Sequence, residues 1–357
     1  MSDETTSLAF AEAVDRLVTV DVPARGFIQK AYAIARREGE QPLVRTAGER
    51  LLAGLSTSET PVVFIVTGAT SQRVGLHDWI GEMDGPPGAI ALARTLALTH
   101  RAIPVLLTDP GQGPMLSAAA HSIGLYTLPI ENVRRQAAAT THTTSIAVVE
   151  IPDRGEDARA QAAELIASLK PVASIAIEKA GGNEHGVFHN SQKVDTSSGK
   201  ARADELFKAC TAAGILTIGI GDGGNEIGMG SIKKELKTAF PAMAKCNCPC
   251  GGSILADQAV DCLIVATVSN WGAYALGTYL SFAKGLPYAA HSPEREKRLL
   301  DSAARAGYMN LDGFASAGAD GLPPSVHVAF VRLLSTMAFW PVLSHGRDGY
   351  FEDMLPS

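Results

Sequence analysis

The stretch LTIGIGDGGNEIGMG, Leu216–Gly230, joins a short apolar run to a loop of glycines and acids. The run has the length and make-up of a buried strand, and the loop formally contains GxGxxG at Gly219, Gly221 and Gly224. A dinucleotide cradle does not follow from this. Asp222 and Glu226 would have to approach a pyrophosphate, and the helix after the loop is short and interrupted by Pro241. Asp222, Asn225 and Glu226 instead offer oxygen atoms with no cation among them, which suits Mg²⁺, Mn²⁺ or an ammonium group. No NAD and no PLP is expected.

Outward from this run, short β-branched or apolar segments alternate with longer Ala/Leu-rich amphipathic ones, the pattern of an α/β fold with a mainly parallel sheet and helices on both faces. The other expected strands are Val62–Val66, Val105–Thr108, Ser145–Ile151, Ala173–Ile177 and Cys262–Thr267, with the run itself pairing as Leu216–Ile220. Helices are expected at Ala89–Thr99, Asp157–Leu169, Ala201–Ala213 and Trp271–Phe282. The N- and C-terminal flanks also read as helical, from about Ala11 to Leu55 and over Pro293–Ala306 and Ser325–Phe339. This divides the chain into a helical segment, 1–55, packed on an α/β domain, 56–345. The clusters Gly85–Gly88, Gly111–Pro114 and Gly321–Pro324 read as local punctuation.

At 357 residues and 46% hydrophobic content the chain is long enough to bury a large core. Its net charge of −6, with no basic run, offers no footprint for nucleic acid or a membrane surface, so the expected partner is a small molecule. The acidic start, MSDETTSLAFAEAVDRL, has neither a signal core nor an Arg-rich presequence, and the chain is read as cytoplasmic, with a homo-oligomer left open. Five cysteines fit a reducing compartment. CNCPC, Cys246–Cys250, lacks CxxC spacing and a second cluster, so the sequence reads against a structural zinc and assigns these cysteines no role.

In such sheets ligands gather at the carboxyl ends of the strands, and four segments besides the glycine loop carry candidate site residues. In GEMDGPPGAIALARTLA, Glu82 and Asp84 stand two apart before a helix, Asp84 reading either as that helix's cap or as a site oxygen. IEKAGGNEHGVFHNSQKVD sets Glu178 and Lys179 at a strand end, followed by His185, His189 and Asn190. VSNWGAYAL places Asn270 at a helix start, and ADGLPPSVHVAF supplies Asp320.

EMDGPPGA, IEKAG, GIGDGGNEIGMG, VSNWGAYAL and DGLP, in this order and spacing from about Asp15 to Leu334, resemble the D-glutamate cyclase family. The resemblance implies conversion of D-glutamate to 5-oxo-D-proline and water by a hydro-lyase, with a divalent metal. It also implies a second reading as a Mn²⁺- or Mg²⁺-dependent phosphatase of the same fold; a non-catalytic binder of an acidic amino acid or lactam is a third. The chain departs from the family pattern in three places: Gly182 stands where an arginine is usual, His185 and Val187–Phe188 where an acid and a tyrosine are, and Met83 where a threonine is. The expected roles are Glu178, Lys179, Asp222 and Glu226 in catalysis, and Glu82, Asp84, Asp222 and Glu226 as metal ligands. His185, His189, Asn190, Gly223, Gly224, Asn225, Asn270 and Asp320 are expected to bind substrate.

Overall fold

The computed structural model describes residues 3–37, 40–68, 70–71, 80–139 and 144–344. In chain order its strands are β1 (Val62–Val66), β2 (Thr70–Ser71), β3 (Ile80–Gly81), β4 (Ile103–Thr108), β5 (Tyr126–Thr127), β6 (Ser145–Glu150), β7 (Ala173–Ile177), β8 (Leu216–Gly221) and β9 (Cys262–Val265). Its helices are α1 (Asp3–Val18), α2 (Ile28–Ala35), α3 (Leu43–Leu55), α4 (Pro86–His100), α5 (Gly113–His121) and α6 (Ile130–Ala138). They continue with α7 (Gly155–Leu169), α8 (Ala203–Ala212), α9 (Lys233–Ala239), α10 (Ser269–Ala283), α11 (Pro293–Ala306) and α12 (Pro324–Ser344).

Seven strands form one sheet in the order β5-β6-β4-β1-β7-β8-β9, and every pairing in it is parallel. The short β2 and β3 pair antiparallel beside it. The central β1, VVFIV, is buried along its whole length, as a strand covered on both faces must be. Alternation sorts its side chains: Val63 and Ile65 join a core with α3, α4, α10 and α11, whereas Val62, Phe64 and Val66 join one with α7 and α8. A smaller third core packs α2 and Leu236 against Leu263 and Val265 of β9.

The expected strands β1 and β7 and the expected helix α11 agree with the structure to the residue. α5, α6 and β5 were not expected. α5 begins inside Gly111–Pro114, where the glycines and Pro114 suggested only a turn; Pro114 instead occupies the first turn of the helix, where its missing N–H costs nothing. The proposed end of the α/β domain, residue 345, lies outside the described residues. Among the described residues no helix is long and apolar enough to cross a membrane.

Candidate functional site

β1, β7, β8 and β9 lie side by side at the sheet's centre and edge, so the loops leaving their carboxyl ends meet above one region. A pocket of about 470 Å³ opens there, lined by Glu82, Glu178, Asp222, Glu226 and Asp320, with Arg25 and Lys200 among its walls. His189, Asn190, Asn225 and Gly223 also line it, together with apolar Phe27 and Met243.

Glu178 is the first residue beyond β7 and holds a left-handed backbone, φ 49°. Asp320 does the same at φ 56°. Non-glycine residues keep that conformation only where their surroundings impose it, and such strain concentrates at functional sites. Glycine makes room: a Cβ on Gly85 (φ 98°) would lie 2.7 Å from Thr67 Oγ1 and 2.9 Å from Glu178 Cβ. The Glu178 Oε2 accepts the Ser269 hydroxyl at 2.6 Å.

The acids sit close together. Oxygens of Glu178, Asp222 and Glu226 lie within 4.8 Å of one another, as do those of Asp84, Asp222 and Asp320. Burial pushes Glu178 well above the ordinary carboxyl range, and the charges of Glu226, Asp84 and Asp320 push it further. Burial likewise raises Asp222, with Asp320 and Glu178 adding to it. Arg25 offsets part of this: its Nη1 lies 3.2 Å from Asp222 and 3.0 Å from Asp320, and its Nη2 donates to the Asp320 carbonyl.

Asp84 and Asn270 do something the sequence did not indicate. Asp84 precedes α4 but accepts from the Ser269 and Asn270 amides that begin α10, at 2.9 and 2.8 Å. The Asn270 Oδ1 accepts from the Gly85 and Gly88 amides at the start of α4, at 3.0 and 2.7 Å. Each side chain caps the other's helix, filling the orphan donors of that terminus. Asn270 therefore braces the site floor and does not line the pocket. Asp84 lies behind the lining acids; burial and then Asp320 raise its carboxyl, and the capping amides oppose them.

The glycine loop is closed on itself. The two Glu226 carboxylate oxygens take the Gly223 and Gly224 amides at 2.8 and 2.7 Å, so these N–H groups serve the loop and are not offered to substrate. Burial still raises the Glu226 carboxyl, with the loop amides pulling the other way. The Asn225 amide donates to the His189 carbonyl at 3.0 Å and fixes one wall.

The geometry also locates four further residues expected at the site. Lys179 turns away from the acids and is buried against Asp109 at 2.5 Å and the Gly68 carbonyl at 2.8 Å. His185 is exposed in a turn closed by Asn183 and does not line the pocket. The His189 imidazole points at Cys248, 3.3 Å from its sulfur. Glu82 lines the pocket but stands outside both carboxylate groupings, its charge acting on Lys200. Asn190 does line the pocket, although its Oδ1 is taken by the Gln192 and Val194 amides.

Arg25 and Lys200 were missed. Arg25 arrives on the loop after α1, which β9's neighbour Thr267 anchors through the Val18 and Val20 carbonyls and Asp21 braces from within. Lys200 precedes Ala201, whose amide donates to Asp109 at 2.7 Å, so the Lys179–Asp109 pair also holds the Lys200 loop. Burial lowers the Lys200 ammonium below its usual range, against the pull of Glu82 and Asp109.

The family described as D-glutamate cyclase-like, C-terminal, matches residues 30–335. The mitochondrial D-glutamate cyclase of Homo sapiens is 29% identical over 238 residues, 65% of this chain and 34% of that protein. The chain thus aligns with about a third of its curated relative's length.

Proposed function

The chain belongs to the D-glutamate cyclase-like family, and from that premise we propose that it closes an acidic amino acid, glutamate or a near relative, to its lactam with loss of water. One observation supports this above the others: a single pocket holds clustered acids, Glu178 and Asp222 raised by burial, together with an arginine and a lysine. A zwitterionic substrate with two carboxylates and an ammonium has a partner here for each charge. Arg25 replaces, from another segment, the guanidinium absent at Gly182; it keeps N–H donors for a substrate carboxylate beyond those spent on Asp222 and Asp320.

Lactam formation joins nitrogen to the side-chain carboxyl carbon and breaks a carbon–oxygen bond. Both protons lost by the ammonium end on the departing oxygen, so water leaves and no net proton is exchanged. The group that carries them works best with a pKa above the ordinary carboxyl range, and burial moves Glu178, at the carboxyl end of β7, in that direction. Lys200 stabilises negative charge as it grows on the carboxyl oxygen.

Buried carboxylates in excess of nearby cations are also the donor set of a hard divalent ion, and Asp222 with Asp84 and Asp320 would hold Mg²⁺ or Mn²⁺ while leaving Glu178 for proton transfer. When bound, the ion supplies Lewis-acid polarisation of the reacting carboxyl group. The phosphatase reading loses the Gly223 and Gly224 amides that would have cradled phosphate, because Glu226 already takes them.

Mass spectrometry of the purified chain with D- and L-glutamate, with their lactams, and with Mg²⁺, Mn²⁺ or EDTA tests the reading. Lactam formed or opened faster than in Glu178→Gln supports it. Absence of conversion in either direction under every metal condition overturns it, and ligand-induced stabilisation without turnover would assign a binding protein instead.

A further inference from the structure

Three thiols and one imidazole converge beside the pocket. The Cys246 sulfur lies 3.4 Å from those of Cys248 and Cys250, and the His189 Nε2 lies 3.3 Å from Cys248 and 3.8 Å from Cys250. All four candidate ligand atoms fall within 4.8 Å of one another. We propose that Cys246, Cys248, Cys250 and His189 form a structural zinc site, distinct from the acid cluster.

Four of the six ligand-to-ligand separations fit a tetrahedron. With Zn–S of about 2.3 Å and Zn–N of about 2.0 Å, sulfur–sulfur edges come to about 3.8 Å and sulfur–nitrogen edges to about 3.5 Å. The separations found here are within a few tenths of an ångström of these edges. A disulfide would use two of the three sulfurs and leave the third thiol and the imidazole without purpose; all five cysteines are free thiols. Soft sulfur donors select zinc over the Mg²⁺ or Mn²⁺ suited to carboxylates.

The backbone supports the same reading. Gly251 at φ 66° turns the chain sharply, and the Cys246 amide closes that turn on the Gly252 carbonyl at 2.8 Å. The Gly252 amide and the Asn183 side-chain amide both point at the Cys250 sulfur, each at 3.5 Å. Donors aimed at sulfur stabilise a thiolate, the form that binds metal. Four protein ligands leave no open position, so the ion fixes structure. It would tie the 246–252 turn to the loop that carries His189 and Asn190, bracing one pocket wall. The sequence concealed this because the CxCxC run lacks its fourth ligand, which the fold brings from the loop after β7.

The test is the metal content of the whole chain, purified without chelator or histidine tag. Elemental analysis is expected to find about one zinc per chain, surviving dialysis and released by a thiol-specific mercurial. Cobalt exchanged into it should show the intense thiolate-to-metal absorption and visible bands of a tetrahedral sulfur site. Cys248→Ser and Cys250→Ser should lose the ion, and Cys210→Ser should keep it. If the cysteine variants do not fold, His189→Cys, which preserves four ligands, should retain zinc. The proposal is overturned by a zinc-free folded chain, by a disulfide among the three cysteines, by an iron–sulfur chromophore, or by zinc that Asp222→Asn abolishes and Cys250→Ser does not.

Discussion

Asp84 caps the helix that begins at Ser269, and Asn270 caps the helix that begins after Asp84. This exchange ties the two helices beneath the site through five hydrogen bonds, counting the Asn270 side-chain N–H to the Met83 carbonyl. Asn270→Ala strips the buried Gly88 amide of its acceptor, leaves the Gly85 amide only Asp84 Oδ1, and should cost about 2 kcal/mol. Asp84→Ala should do similarly, and the double variant should cost less than the sum, since each cap positions the other. Urea unfolding of the four proteins measures that coupling, and strict additivity would contradict it.

The raised acids make a signed prediction about pH. A carboxyl whose folded pKa exceeds its unfolded value binds more protons in the native state between the two, so its contribution is full below the unfolded value, near 4, and is lost as pH rises through the folded one. Glu178, Asp222 and Glu226 all act in this direction, whereas the depressed Lys200 acts oppositely at alkaline pH. Glu178→Gln should therefore gain thermal stability relative to the parent at pH 8 and not at pH 4. Mn²⁺ should likewise stabilise the parent more at pH 8, read by the melting temperature.

Lys179 is predicted to be a fold residue. Removing one partner of a buried ion pair leaves the other charge stranded, and Lys179→Met should lower stability by about 3–5 kcal/mol. Adding Asp109→Asn should restore part of the loss by discharging the stranded carboxylate while keeping an acceptor for the Ala201 amide. Calorimetry of the single and double variants checks this.

Arg25→Met should lower kcat/KM for a dicarboxylic amino acid by about 10- to 100-fold, the worth of a charge-assisted hydrogen bond of about 1.5–3 kcal/mol. The effect should fall mainly on KM, since in the proposed reaction the guanidinium receives the non-reacting carboxylate. Steady-state kinetics against glutamate and its monoamide separate this from a general loss of structure.

Much of the architecture could be read from the chain because parallel strands buried on both faces are continuous apolar runs, as in Val62–Val66 and Ala173–Ile177. The loops after such strands then marked Glu178, Asp222 and Glu226, and a turn before the last helix marked Asp320; the structure places all four around one pocket. What stayed hidden depended on tertiary direction. Nothing in EKAG tells that Glu178 enters the pocket while Lys179 leaves it; a left-handed residue at the strand end decides that. Nor does a sequence disclose that one helix's cap comes from another, or that Arg25, far from any strand end, is carried to the acids by an anchored loop.

That loop lies ahead of the family match, which begins at residue 30. The boundary of the shared domain and the boundary of the site are therefore different lines, and Arg25 falls between them. A chain trimmed to the shared portion would lose the guanidinium that meets the acids, together with Phe10, Val14 and Val18 of the main core. On the reading proposed above, the leading segment thus takes part in substrate choice, while the acids come from the shared domain.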